Sequence, residues 1–292
     1  MRLPDFLIIG AAKAGTTTLY DYLCQHPQIY MTSIKEPCFF SDNDIYAKGL
    51  DWYSSLFNQA ASGQVCGEAS TRYTRYRQYP EAATRIAQTL PNVKFIYIMR
   101  HPIERTYSHH VHEIRTGQNK PRTTFEEGIK YHSYMLDVSN YIQQIEQYLK
   151  IFPKDSFLFL LMEDLIQKPS DTLREIFKFL EVDETIDLVD RRSVAKNQAR
   201  DHAEGFVRSK MTAPLKKIPA FSHAVGLLPQ EWRDFAYQVL KALPYYGKWG
   251  KNQSYLPPPM LPETRQMLIE KFREPNQKLA ELLNRDLSHW SK

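Results

Sequence analysis

The sequence predicts an α/β fold: a central parallel sheet flanked by helices, with a helical C-terminal portion. Three observations predict it. Short apolar runs alternate with stretches of helical period through about the first 184 residues, the pattern of strands joined by helical crossovers. One run, Val93–Met99, is almost wholly apolar or β-favouring, as a strand covered on both faces must be. After residue 185 the alternation stops, and a polar, basic stretch over 185–204 gives way to helical segments broken by prolines, notably Pro257–Pro259. The chain therefore reads as one domain over 1–292, with an α/β core over about 1–184 and a basic loop and helical part over about 185–292.

Each element follows from its local pattern. Residues 5–10 (DFLIIG) form the first strand, and a helix begins at Thr16–Thr18 and runs to about Gln25. Residues 65–70 read as the next strand, with a helix across 81–90. After the 93–99 strand, Pro102 stands where a helix can start, its missing N–H being no loss there. That helix continues over 103–117. A long helix is predicted over 137–152, with Tyr141, Ile145, Tyr148 and Leu149 on one face, and a strand over 156–162. Two short helices follow, the second over 170–180 with Leu173, Ile176, Phe177 and Leu180 at helical spacing.

Composition excludes several classes of function. With 42% hydrophobic and 24% charged residues the chain is neither disordered nor fibrous. Cys24, Cys38 and Cys66 are scattered and odd in number, which argues against a disulfide framework or a zinc site and suits a reducing cytoplasm. No run approaches the ~20 apolar residues that cross a bilayer, and Lys13 interrupts the N-terminal apolar run before it can serve as a signal peptide. A net charge of +5 favours an anionic ligand without arguing for nucleic acid.

The first candidate site is the turn Gly10-Ala-Ala-Lys13-Ala14-Gly15-Thr16-Thr17-Thr18 between the first strand and its helix. Small residues let the backbone curl so that N–H groups point inward, and the helix N-terminus adds positive potential. The sheet is thus P-loop-like. However, Thr16 stands where the Walker pattern puts its lysine, the lysine lies inside the loop at position 13, and the strand over 93–99 ends in Arg100 rather than an acid. This disfavours a magnesium-dependent nucleoside triphosphatase. The second candidate is Arg100 itself, with Ser108 two turns into the next helix. Ligands gather at the C-terminal ends of parallel strands, and two anion sites on one edge suit a nucleotide phosphorylated at both ends.

These residues resemble a known family. KAGTTTL (13–19) and KFIYIMRHPIERTYS (94–108) are similar to the 5′-phosphosulfate loop and the 3′-phosphate segment of sulfotransferases that use 3′-phosphoadenosine 5′-phosphosulfate (PAPS). The stretches 35–57, 140–165 and 272–290 resemble the heparan-sulfate-type branch and its bacterial relatives. The resemblance implies that Lys13, Ala14, Gly15, Thr16, Thr17 and Thr18 hold the 5′ end of PAPS and that Arg100 and Ser108 hold its 3′-phosphate. It also implies that Glu36 is the catalytic base and that Lys13 supports the leaving group. No metal is required. One departure stands out: Glu68 is followed by Ala69, where the heparan enzymes commonly carry a lysine, which weakens a glycosaminoglycan acceptor.

The expected activity is therefore PAPS-dependent transfer of a sulfuryl group to an acceptor hydroxyl on a carbohydrate, lipid or secondary metabolite, in the cytoplasm. A P-loop kinase of a small metabolite and a nucleotide-binding module without activity are the alternatives. Three other features stay open: the cluster His109-His110-x-His112 as cleft wall or solvated face, with a metal disfavoured; the basic strip Arg72, Arg75, Arg77 among tyrosines; and 196–200 as a loop covering the cofactor.

Overall fold

The computed structural model describes residues 1–116, 118, 123–188 and 257–292. Its centre is a five-stranded sheet of β1 (Phe6–Gly10), β2 (Ile29–Met31), β3 (Val65–Ala69), β4 (Lys94–Met99) and β5 (Phe157–Leu161), in the order β2-β3-β1-β4-β5. Every pairing is parallel, with Phe6 opposite both Gly67 and Lys94. The predicted fold class is the observed one. The sequence reading omitted β2, because three residues are too few to show a period.

Successive side chains of a strand face opposite sides of the sheet. Leu7, Ile9, Phe95, Tyr97 and Met99 face one layer, which includes α4 (Ala82–Thr89) and α8 (Tyr141–Leu149). Phe6, Ile8, Ile96 and Ile98 face the other, which includes α1 (Thr16–Leu23), α9 (Met162–Gln167) and α10 (Pro169–Leu180). The short helices α2 (Asn43–Tyr46) and α3 (Gly49–Ser55) lie between β2 and β3 in the chain. A third cluster of Ile103, Phe125, Ile129, Met135, Leu268 and Phe272 joins α5 (Pro102–Thr116), α6 (Phe125–Tyr131) and α7 (Tyr134–Ser139) to the C-terminal helix α11 (Pro262–Leu283).

One expectation needs correction. The helix predicted over 137–152 is two helices, broken at Asn140, whose side chain accepts a hydrogen bond from the Gln143 N–H and so caps α8. The break turns Ser139 inward, where its hydroxyl meets Arg105 and Thr106. The prolines at 257–259 stand just before α11, and Pro275 lies within that helix without ending it. The basic stretch over 189–204, including the 196–200 segment, lies outside the described residues, as does the rest of the chain to 256.

Candidate donor and acceptor site

The loop leaving β1 begins at a point where only glycine fits. A Cβ on Gly10 would lie 2.3 Å from Thr74 Oγ1 and 2.6 Å from Tyr97 Cε2. Ala11 N–H then donates to Ile98 O (2.7 Å), so the loop starts beside the end of β4, two residues before Arg100. Lys13 (φ 70°) and Gly15 (φ 92°) are both left-handed, which curls the chain into the start of α1. Gly15 occupies the N-cap and supplies no side-chain cap. An uncapped N-terminus leaves donors for a ligand and positive potential to hold an anion. Ala14 and Thr16 are buried, while Lys13, Thr17 and Thr18 are partly exposed.

The loop is braced from outside by Arg105, whose side chain is fully buried on α5. Its Nη1 donates to Ala12 O (3.2 Å), its Nε to Ser139 Oγ (2.6 Å) and its Nη2 to Met135 O. Burial pushes this guanidinium down to about 10, still protonated at neutral pH. Sequence reasoning missed it, since an arginine inside a helix carries no signal of what it will brace.

Arg100 and Ser108 are both half-buried, the first just past β4 and the second on α5. The Arg100 backbone is fixed from two sides by Tyr141, whose hydroxyl accepts from Arg100 N–H (3.3 Å) and donates to Arg100 O (2.7 Å). Next to it, His101 N–H donates to Glu163 Oε1 (3.0 Å), which also accepts from Trp290 Nε1 (3.1 Å). The strand end is thereby tied to the C-terminal segment.

Glu36 reaches the site from the other side of β1. Its N–H donates to Ala69 O (3.0 Å) at the end of β3, and its left-handed conformation (φ 56°) turns the chain back. Its carboxylate Oε2 accepts from Thr71 N–H (2.8 Å) and Thr71 Oγ1 (3.2 Å). Burial raises the Glu36 carboxyl above its usual range, against the pull of the Thr71 bonds and of the Lys35 and Arg75 charges. The preceding residue, Lys35, donates through Nζ to Thr17 Oγ1. Consecutive residues thus touch the donor loop and carry the candidate base. That Lys35 contact was not readable from sequence.

Beneath this turn lies a second carboxyl. Glu68 is fully buried and accepts from Tyr73 OH (2.6 Å), Tyr53 OH (2.9 Å) and Ser70 Oγ (3.0 Å). Ser70 Oγ also accepts from Cys38 N–H (2.9 Å). Burial pushes Glu68 up to about 7 despite those three bonds, and the charge of Glu36 acts in the same direction.

Of the histidine cluster, His109 and His110 are buried and His112 is partly exposed. The His109 ring lies between Arg105 Nη1 (3.0 Å from Nδ1) and Glu113 (Nε2 3.9 Å from Oε1). Burial, with Arg105 next, holds it well below the usual imidazole range. Among the described residues no three His, Cys, Asp or Glu side chains form a group able to hold a metal ion.

With this geometry in hand, comparison with known proteins is decisive on family. The sulfotransferase domain family matches residues 3–220. The chain belongs to that family. It is 27% identical to the membrane-associated sulfotransferase kil1 of Dictyostelium discoideum, over 97% of this chain and 66% of that protein. It is 29% identical to heparan sulfate glucosamine 3-O-sulfotransferase 6 of Homo sapiens, over 61% of this chain and 52% of that protein. The chain thus spans between about half and two thirds of the two curated relatives' lengths. The crystal structure of a sulfotransferase from Alicyclobacillus acidocaldarius aligns over the whole of both chains with a TM-score of 0.69 and 23% identity, a likeness of fold. No helix among the described residues of this sulfotransferase-family chain is long and apolar enough to cross a membrane.

Proposed function

We propose that the chain is a sulfotransferase that moves the sulfuryl group of PAPS to an acceptor hydroxyl, with Glu36 as general base. The observation that carries the reading is the pair Lys35–Glu36, one residue bonded to Thr17 on the donor loop and the next held with its carboxylate on Thr71. The uncapped start of α1, with Lys13, Ala14, Gly15, Thr16, Thr17 and Thr18, fits the 5′-phosphosulfate. Arg100 and Ser108, reached from the neighbouring strand β4, fit the 3′-phosphate.

In this reading the acceptor oxygen attacks sulfur in line with the bridging oxygen of the donor. An O–S bond forms as the S–O bond to the 5′-phosphate breaks. The acceptor proton passes to Glu36, and the electron pair of the broken bond remains on the phosphate oxygen, where Lys13 and the helix N-terminus stabilise the charge. Holding both partners in one site converts an encounter into an aligned unimolecular step. The acceptor is a hydroxyl on a carbohydrate, lipid or secondary metabolite.

The test pairs binding with turnover. The protein is titrated with 3′-phosphoadenosine 5′-phosphate, then given labelled PAPS with an acceptor panel, and labelled ATP with magnesium in parallel. Binding of the bisphosphate with transfer from PAPS is the expected result. Transfer from ATP alone would replace this reading with a kinase.

A further inference from the structure

The strip RYTRYRQY (72–79) places three arginines at every second or third position, and the structure separates them. Arg72 pairs with Asp42 (3.3 Å) and Arg77 with Asp137 (3.5 Å), their side chains 40% and 59% exposed. Arg75 turns inward. Its backbone is clamped on both sides: Thr74 Oγ1 donates to Ile9 O (2.8 Å), one residue before the donor loop begins, and Tyr76 N–H donates to Gln144 Oε1 (3.0 Å). Its Nε is buried without a hydrogen-bond partner, and among the described residues no carboxylate forms an ion pair with it.

Charged groups on three segments act on Arg75. Glu36 and Cys38 do so from the 36–38 turn, Arg105, His109 and Glu113 from α5, and Tyr79 and Arg72 from its own segment. Arg75 therefore lies between the candidate base and the wall formed by α5, at the end of β1. A buried guanidinium nitrogen left without a partner is costly, and the cost is relieved when an anion accepts from it. The planar fork of an arginine suits a group with several equivalent oxygens. Lys35 donates to Thr17 at the start of α1, which leaves Arg75 as the second cation acting on Glu36.

We propose that Arg75 is a catalytic residue whose guanidinium binds the oxygens of the sulfuryl group as it passes from the 5′-phosphate to the acceptor. The inference rests on the sulfotransferase reading above. It adds no reactant: the bond made, the bond broken and the proton taken by Glu36 are those already given, and Arg75 stabilises charge on the non-bridging oxygens.

The experiment compares Arg75→Met and Arg75→Lys with wild type in three measurements: titration with 3′-phosphoadenosine 5′-phosphate, which has no sulfuryl group; kcat with PAPS; and the pH dependence of kcat. Arg75→Met is expected to lower kcat about 10²–10³-fold, the usual cost of one such donor, while bisphosphate affinity stays within about twofold. Its acid limb moves to higher pH, because a positive charge facing Glu36 is gone while Lys35, Glu68 and Cys38, the other ionisable groups around Glu36, are unchanged. Arg75→Lys keeps the charge and so restores the limb, with kcat still below wild type. This variant decides the matter should the methionine variant fail to fold. Arg72→Ala and Arg77→Ala leave kcat within about threefold. A parallel fall in bisphosphate affinity and kcat would reassign Arg75 to the nucleotide phosphates, and an unchanged kcat in Arg75→Met would make it a structural cation. Either overturns the proposal. A wild type that binds no bisphosphate overturns the donor assignment itself, which is a separate result.

Discussion

Two carboxyls lie one above the other at the end of β3, and their surroundings give them different work. Glu36 is bonded by Thr71 and faces two cations, yet burial still raises it. In its proposed role as base Glu36 must be ionised to accept a proton, so the rate is expected to fall as pH drops through that raised value, above where an exposed glutamate would place the limb. Glu36→Gln, isosteric and unable to take the proton, is expected to lower kcat by about 10²–10⁴-fold with bisphosphate binding retained. Equal loss of both would remove Glu36 from the chemistry. Glu68 bears on stability. Its folded value near 7 exceeds the unfolded value of 4.5, so its contribution is full below the unfolded value and is lost as pH rises through about 7. Glu68→Gln should therefore compare better with wild type in thermal melts at pH 8 than at pH 5. An identical difference at both would show that Glu68 does not titrate in the fold. Glu36 was legible in the sequence only through the resemblance of its segment. The Lys35–Thr17 contact and the inward turn of Arg75 were not, since each depends on how distant segments meet, and three arginines in one strip look alike on paper.

Among the elements, the donor loop shows how a turn of small residues is made rigid. Gly10 is required by the closeness of Thr74 and Tyr97, and Arg105 ties Ala12 to the Met135 carbonyl and the Ser139 hydroxyl at the two ends of α7. Replacing Arg105 by methionine would remove its bonds to Ala12 O and Met135 O, while Ser139 Oγ keeps Thr106 and Pro102, a loss of about 2–4 kcal/mol. Urea unfolding of Arg105→Met measures this, and bisphosphate affinity should fall as well because the loop is released. A drop in stability alone would show the loop to be held without Arg105. At this scale the sequence was most informative where apolar period was long, as in β1, β4 and α10. It failed for β2, too short for a pattern, and at Asn140, where the side chain bonds of one asparagine and of Ser139 override a continuous apolar face.

For the molecule as a whole, the C-terminal segment closes the structure against the strand end that carries Arg100. Trp290 is buried against Tyr141 and His101 and shares Glu163 with the His101 N–H. Trp290→Ala should cost about 3–5 kcal/mol, read as a lower urea midpoint. A shift of less than about 1 kcal/mol would mean that the segment contributes little to the fold. The three-layer plan followed from the alternation of runs, whereas the attachment of the C-terminal helix did not, because nothing in an amphipathic stretch names its partner. The strand order has a practical corollary. Glu36 is carried on the β3 flank of β1 and Arg100 on the β4 flank, so in the proposed reading the acceptor side and the nucleotide side come from different stretches of the chain. If the proposed roles hold, chimaeras that exchange the 32–79 stretch between relatives would change the acceptor used while binding of 3′-phosphoadenosine 5′-phosphate, assigned to Arg100 and Ser108, is retained.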